Sequence, residues 1–417
     1  MTMIALFIYI IGTYFPLIYT YVPLLGALKV VLVAGIVLVF GFIGTYGQYR
    51  NPTAYKNSIV YCWVIFLAFM MFGIFVSLDK GMTLDAFLAN LKVFFIFLVM
   101  IKIVDSLEKL ERVLAVFTLC GVGMGISAIY NYVFGTETLT GGHKLSDTYR
   151  AIALRGGLFG DPNDLALLFN SVLPFAIYFL LVKEKKTIHL LGVVILVLGT
   201  MLSYSRAGFL GLCVTGLMFL FFFKVRMKYF VYLLAFAILF WSFAPESYKE
   251  RIRSITAWEV DEETGKTGTR MDAWKDGLVA GLEHPILGVG AGASVYVNGT
   301  RLQDWHQTHN AFVQVFIEIG TIGFAIYLSL FVLPYKQYKR YSRNIDKRKM
   351  HQLDILYKMI IISLVAFAST AFFTPNAYSP LLFMLTALAV IGSEAMKKES
   401  NALKVSAARV LVPQATG

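Results

Sequence analysis

Arg206, Arg270 and His309 are residue types suited to one piece of chemistry, in which fixed cations grip an anion and a base takes a proton nearby. A guanidinium stays charged and offers a planar fork of donors that fits phosphate oxygens. A neutral imidazole, titrating near pH ~6.5, accepts a proton from a hydroxyl. Arg206 lies in "SYSRAGFLG", Ser203 to Gly211, between two apolar runs with almost no loop. A buried arginine there costs ~2.5–3.5 kcal/mol on insertion scales unless it finds a partner or water, so it is either a snorkelling interface anchor or a phosphate clamp. Arg270 opens "RMDAWKDGLVAGLEHPILGVGAG". Met271, Trp274, Leu278 and Leu282 recur there at three and four, which predicts an amphipathic helix lying against the membrane or packed on its spans. Arg270 then sits at the positive end of the helix dipole, which suits an anion.

Other candidates carry plainer readings. Asp161, Pro162 and Asp164 in "LRGGLFGDPNDLALLFN" make a helix start of cap, first residue and first-turn acid. The alternative is a divalent cation held by the two carboxylates. Arg155, just upstream, either faces an anion or pairs with one of these acids. Gly288, Gly290 and Gly292 read as turn formers, because no strand precedes them and no Lys-Ser/Thr follows as in a phosphate loop. His306 and His309, at i and i+3, lack a third ligand at any usual zinc spacing, which leaves capping, spacing or base chemistry. Glu318 falls about nine residues, or ~13 Å, beyond His309, and a carboxylate at that depth must be protonated, paired or facing water.

The elements that position these residues are apolar. The 417-residue chain is 58% hydrophobic and 15% charged, against about a quarter charged in soluble domains, which predicts an all-α polytopic membrane protein. About twelve runs approach the ~20 residues needed to cross a bilayer, at 3–24, 27–47, 58–78, 83–104, 112–134, 163–182, 187–203, 206–223, 228–244, 310–333, 355–373 and 377–396. They predict one integral membrane domain over 1–396, a large outer loop over 245–309 and a polar tail over 397–417. The net charge of +12 is a topology signal: basic clusters at 183–186, 224–228, 336–349 and 397–398 all fall on the side of both termini. That side is expected to be cytoplasmic. The 245–309 loop, with ten acids against seven bases, belongs to the opposite side. No basic stripe on a soluble domain is present to take nucleic acid. Cys62, Cys120 and Cys213 lie far apart in apolar runs and are read as small core residues.

With this topology Arg155, Arg206, Arg270 and His309 reach one outer membrane surface, which points to a lipid substrate carrying phosphates. "SRAGFLGL", then Arg270 and Trp274 followed by "HPILGVGAG", then "HNAFVQVFIEIGTIGF", resemble in order and spacing the O-antigen ligase and polymerase family of bacterial envelope proteins. The resemblance covers roughly Arg155 to Phe324; the first five spans add only hydrophobicity. It implies a membrane glycosyltransferase of GT-C type, in the bacterial inner membrane with its active site facing the periplasm, that needs no metal or other cofactor. Its donor would be a glycan on undecaprenyl diphosphate and its acceptor a hydroxyl of the lipid A core, a step of lipopolysaccharide biosynthesis. Carried over, Arg206 and Arg270 match the arginines proposed to hold the diphosphate, and His309 the histidine that takes the acceptor proton. Arg155 joins the diphosphate-binding set, while His306, Glu318, Trp274 and Asp161 are supporting candidates. Two rivals of the same superfamily are a polysaccharide polymerase and a protein O-oligosaccharyltransferase. The rival of another class is a lipid-linked glycan transporter, which would place ionisable groups near the midplane and often shows two related halves; Asp85, Lys92 and Glu318 are the deep charges.

Overall fold

A computed structural model describes residues 2–49, 51, 53–134, 143–145, 148–150, 161–224, 246, 249, 270–302, 308–344 and 350–411. Apart from turns, the described residues are helical except for an antiparallel two-stranded hairpin, β1 (His143–Leu145) and β2 (Thr148–Arg150). The main helices are α1 (Thr2–Tyr14), α2 (Val30–Gly44), α3 (Ser58–Val76), α4 (Lys80–Ile103), α5 (Leu107–Phe134), α6 (Pro162–Val182) and α7 (Lys186–Leu202). They continue with α8 (Arg206–Phe223), α9 (Arg270–Glu283), α10 (Ser294–Leu302), α11 (Ala311–Tyr341), α12 (His351–Ala371) and α13 (Pro380–Leu411). Eight of these are long and apolar enough to cross a membrane, and α1, α2 and α7 are shorter apolar helices. The protein is a polytopic helical membrane protein. The span expected at 228–244 lies outside the described residues.

Two boundaries differ from the sequence reading. The apolar run at 3–24 is not one helix: α1 stops at Tyr14, ahead of Pro16, and two short helices, Ile18–Tyr21 and Pro23–Ala27, follow. Proline cannot donate to the helical ladder and clashes with the preceding turn. The apolar run at 377–396 is part of a longer helix, because α13 extends to Leu411, into the residues read as a polar tail. Nothing in residues 397–411 breaks a helix, whatever their polarity.

Helices α6, α12 and α13 are the most enclosed and form the centre of the bundle. Association in lipid relies on close packing and polar cross-links rather than on the hydrophobic effect. Asn170 Nδ2 on α6 donates to Gly208 O of α8 at 2.9 Å and to Thr370 Oγ1 of α12 at 3.1 Å. Trp63 Nε1 of α3 donates to Thr386 Oγ1 of α13 at 3.0 Å. Among the cysteines Cys120 is buried and Cys62 partly so; Cys213 is exposed, because its face of α8 meets no other described helix.

Polar contacts collect the loops at two ends. At one end Lys183 pairs with Glu111 at 2.7 Å, Gln337 Nε2 donates to Asn57 Oδ1 at 2.8 Å, and the Tyr338 hydroxyl donates to Asp354 Oδ1 at 2.9 Å. The described parts of the basic clusters lie here. At the other end the Asp79 carboxylate caps α4 through Met82 N at 2.9 Å and accepts from the Tyr296 hydroxyl of α10 at 2.6 Å. The Tyr296 hydroxyl and the capped amide hold the Asp79 carboxyl below its usual range. This second end carries the candidate site.

Candidate functional site

The site end is built from helix N-termini, each set by a short polar side chain. Asp161 Oδ1 accepts from Asn163 N at 2.7 Å and starts α6, the capping role read from the sequence. Ser205 Oγ accepts from Gly208 N at 3.0 Å and starts α8, of which Arg206 is the first residue. Asn310 Oδ1 accepts from Phe312 N at 2.9 Å and Val313 N at 3.1 Å and starts α11. Arg270 is the first residue of α9, its side chain not described. Each such terminus presents unsatisfied N–H groups and a partial positive charge.

A chain of contacts joins these termini. Ser205 Oγ donates to Asn163 Oδ1 at 2.6 Å, tying α8 to α6. Asn376 Nδ2 donates to Asp164 Oδ1 at 2.5 Å, tying α6 to the turn between α12 and α13. In that turn Phe372 and Phe373 meet the Trp274 indole with ring centres 5.5 and 6.3 Å apart. Trp274 Nε1 then donates to Thr308 O at 2.8 Å. The first turn of α9, which carries Arg270, is thus pinned to the residue before His309. Trp274 serves as a strut between the two helices.

His309 is one of four described non-glycine residues with a left-handed backbone. Its φ is +47°, and Tyr204 has φ +51°; each stands immediately before the N-cap of a site helix. A left-handed conformation costs an L-residue ~1–2 kcal/mol and normally falls to glycine. Such strain is characteristic of functional positions. Asn310, not His309, does the capping, which removes capping as an explanation for the histidine. Thr308 and Asn310 are buried on either side, whereas His309 is only partly so.

Glu318, read as a carboxylate that must be protonated, paired or facing water, is enclosed by donors. The helix α11 breaks at Gly320, with φ +76° and ψ −177°. The glycine-rich loop between α9 and α10 inserts against the break, where Val289 N and Gly290 N donate to the Ile317 and Glu318 carbonyls at 2.9 and 3.0 Å. A Cβ at Gly288, where φ is +68°, would lie 2.4 Å from the Glu318 carbonyl carbon. These glycines are turn formers in close backbone contact. The Glu318 carboxylate is fully buried. It accepts from Gly292 N at 2.8 Å, Ser294 N at 3.3 Å, Ser294 Oγ at 2.5 Å, the Tyr378 hydroxyl at 2.5 Å and Gln314 Nε2 at 3.4 Å. It is therefore the lock between loop, broken helix and the turn that precedes α13. Glu318→Gln places an amide nitrogen among donors and should cost about 1–3 kcal/mol of stability. Thermal unfolding in detergent measures this, and an unchanged transition would show that the cage carries no load.

The sequence leaves α9 either against the membrane or packed on the spans, and its leucines are not on the packed face. Leu278 and Leu282 are exposed, and the packed face is Gly277, Ala280 and Gly281. A Cβ on Gly281 would lie 2.4 Å from the Phe316 ring, so small residues let α9 approach α11 closely. The leucines are left facing outward, as in a helix lying at a membrane surface.

Arg155 and His306 lie outside the described residues; Arg206, Trp274, His309 and Asp161 lie at one end of the bundle and are linked through their neighbours, with Arg270 placed by its backbone. Among the described residues no group of three or more His, Cys, Asp or Glu could hold a metal ion. Residues that the sequence reading missed are Asn310, Asn376 and Tyr378. Asn310 was legible as a cap ahead of an apolar run; the other two reveal themselves only through partners remote in sequence.

No curated protein matches the chain. The family model described as O-antigen ligase matches residues 191–328, from within α7 through α8, α9 and α10 to beyond the break in α11. Arg206, Trp274, His309 and the Glu318 lock all fall inside that match, and over this third of the chain the protein is similar to the O-antigen ligase family.

Proposed function

We propose that the protein is an O-antigen ligase that moves a glycan from undecaprenyl diphosphate to a hydroxyl of the lipid A core, at the periplasmic face of the inner membrane. The observation that carries this reading is the Trp274 to Thr308 hydrogen bond, which fastens the arginine-bearing start of α9 to His309. Arg206, Arg270 and Arg155 hold the diphosphate and take up the negative charge that grows as the anomeric C–O bond breaks. His309 takes the proton of the acceptor hydroxyl as its oxygen bonds to the anomeric carbon. The lipid diphosphate leaves. A single displacement inverts the anomeric configuration.

A lipid-linked glycan transporter fits less well. A carrier needs ionisable groups that exchange partners near the midplane. Glu318, the fully buried one, is engaged by five donors. A polymerase or a protein O-oligosaccharyltransferase would keep the same donor and change the acceptor. Purified protein given a glycan on undecaprenyl diphosphate, with lipid A core, a second lipid-linked glycan and a Ser/Thr peptide in competition, should build product on the lipid A core. Product confined to another acceptor would replace the ligase assignment.

The clamp is proposed to work without metal, since arginines stand where a metal enzyme gathers carboxylates. Transfer should survive a strong chelator. Abolition by chelation and recovery with a divalent cation would turn Asp161 and Asp164 into ligands. The orientation follows from the basic end. A cysteine at exposed Arg343 should label from the cytoplasm and one at exposed Leu282 from the periplasm, in a background without Cys213. Labelling of both from one side would overturn the orientation.

A further inference from the structure

At the end of the bundle opposite His309, α8, α11 and α12 enclose an open pocket of about 490 Å³. Its walls separate by chemistry. Lys224 closes α8, Lys339 lies in the last turn of α11, Arg343 follows in the adjoining turn, and Lys358 rises from α12. Phe222 and Tyr335, with ring centres 6.3 Å apart, form an aromatic wall. Among the described residues Asp354 stands behind the lining and is already engaged, accepting from the Tyr338 hydroxyl at 2.9 Å and pairing with Lys358 Nζ at 2.7 Å. The other three cations line the same pocket.

Two features distinguish this pocket from the diffuse basic character of the loops. The cations come from three separate helices and converge on one volume. Lys224 also holds its place at φ +46°, a conformation that favours glycine, so a cation stands where a smaller residue would fit the backbone more easily. Basic pockets between transmembrane helices, at the depth of the head groups, suit lipid phosphates. The aromatic wall provides an apolar surface beside the charges, as an acyl-bearing ligand requires and a free anion does not. We propose that this pocket binds the phosphodiester head group of an anionic membrane phospholipid, whose chains run along the exposed face of α8. The site is independent of the glycan-transfer reading.

Native mass spectrometry of the full-length protein in detergent, titrated with phosphatidylglycerol and with phosphatidylcholine, tests the proposal. The anionic lipid should bind preferentially, and a triple variant, Lys224→Asn with Lys339→Ala and Arg343→Ala, should weaken it about tenfold or more. Asparagine tolerates the left-handed backbone, and Lys358 is left intact because it pairs with Asp354. Lys185→Ala, at an exposed cation outside the pocket on the same end, should leave binding unchanged. Equal binding by wild type and triple variant, or an equal loss with Lys185→Ala, would reduce the pocket to part of a diffuse basic surface. Displacement of the lipid by an equal concentration of glycerol 3-phosphate would overturn the lipid assignment in favour of a free phosphate.

Discussion

His309→Ala is expected to transfer glycan about 10²–10⁴ times more slowly than the wild type while inserting and unfolding like it. Loss of a helix cap would instead cost about 1 kcal/mol of stability and leave the chemistry intact. The cap of α11 belongs to Asn310, so the two effects fall on different residues. His309→Gly sharpens the contrast. Glycine relieves the left-handed backbone and should leave the protein as stable as the wild type, or stabler by about 1 kcal/mol, yet equally inactive. His306→Ala should retain much of its activity. Wild-type transfer should also fall on acidification through the imidazole range, because only the neutral ring accepts a proton. An active His309→Gly protein, or equal losses at His306 and His309, would assign the histidines to structure.

Replacement of Arg206 or Arg270 by alanine is expected to remove about 2–4 kcal/mol of transition-state stabilisation, by analogy with the loss of one oxyanion donor. The lysine variants should recover only part of it, since lysine keeps the charge and loses the planar fork. Measured transfer rates at matched protein levels decide the point. Near-wild-type rates in both alanine variants would return Arg206 to the role of an interface anchor. A loss at Arg206 alone would remove the start of α9 from the site.

Eight of the expected spans were legible because a bilayer imposes a length and an apolar composition on each crossing, and these are local properties. Helix starts were legible for the same reason at Asp161, where cap, proline and acid stand in order. The centre of the site was legible only in part. Glu318 read as a puzzling deep carboxylate because its partners, Gly292, Ser294 and Tyr378, come from segments on either side that no spacing rule connects to it. The break at Gly320 is decided by the inserted loop, which supplies N–H donors to carbonyls that the helix has released. The α9 leucines left their placement open for a physical reason as well. Periodicity gives a face, but whether that face meets protein or lipid depends on how closely the backbones approach, and Gly277 and Gly281 settled it.

The central claim is a single displacement in which His309 activates the acceptor hydroxyl while the arginines receive the departing diphosphate. The anomeric configuration of the new glycosidic bond, read by NMR from product made by purified wild-type protein from a donor of defined configuration, tests it most directly. Direct attack predicts inversion, with one undecaprenyl diphosphate released per glycan transferred. Retention of configuration would require a covalent glycosyl-enzyme and would contradict the account.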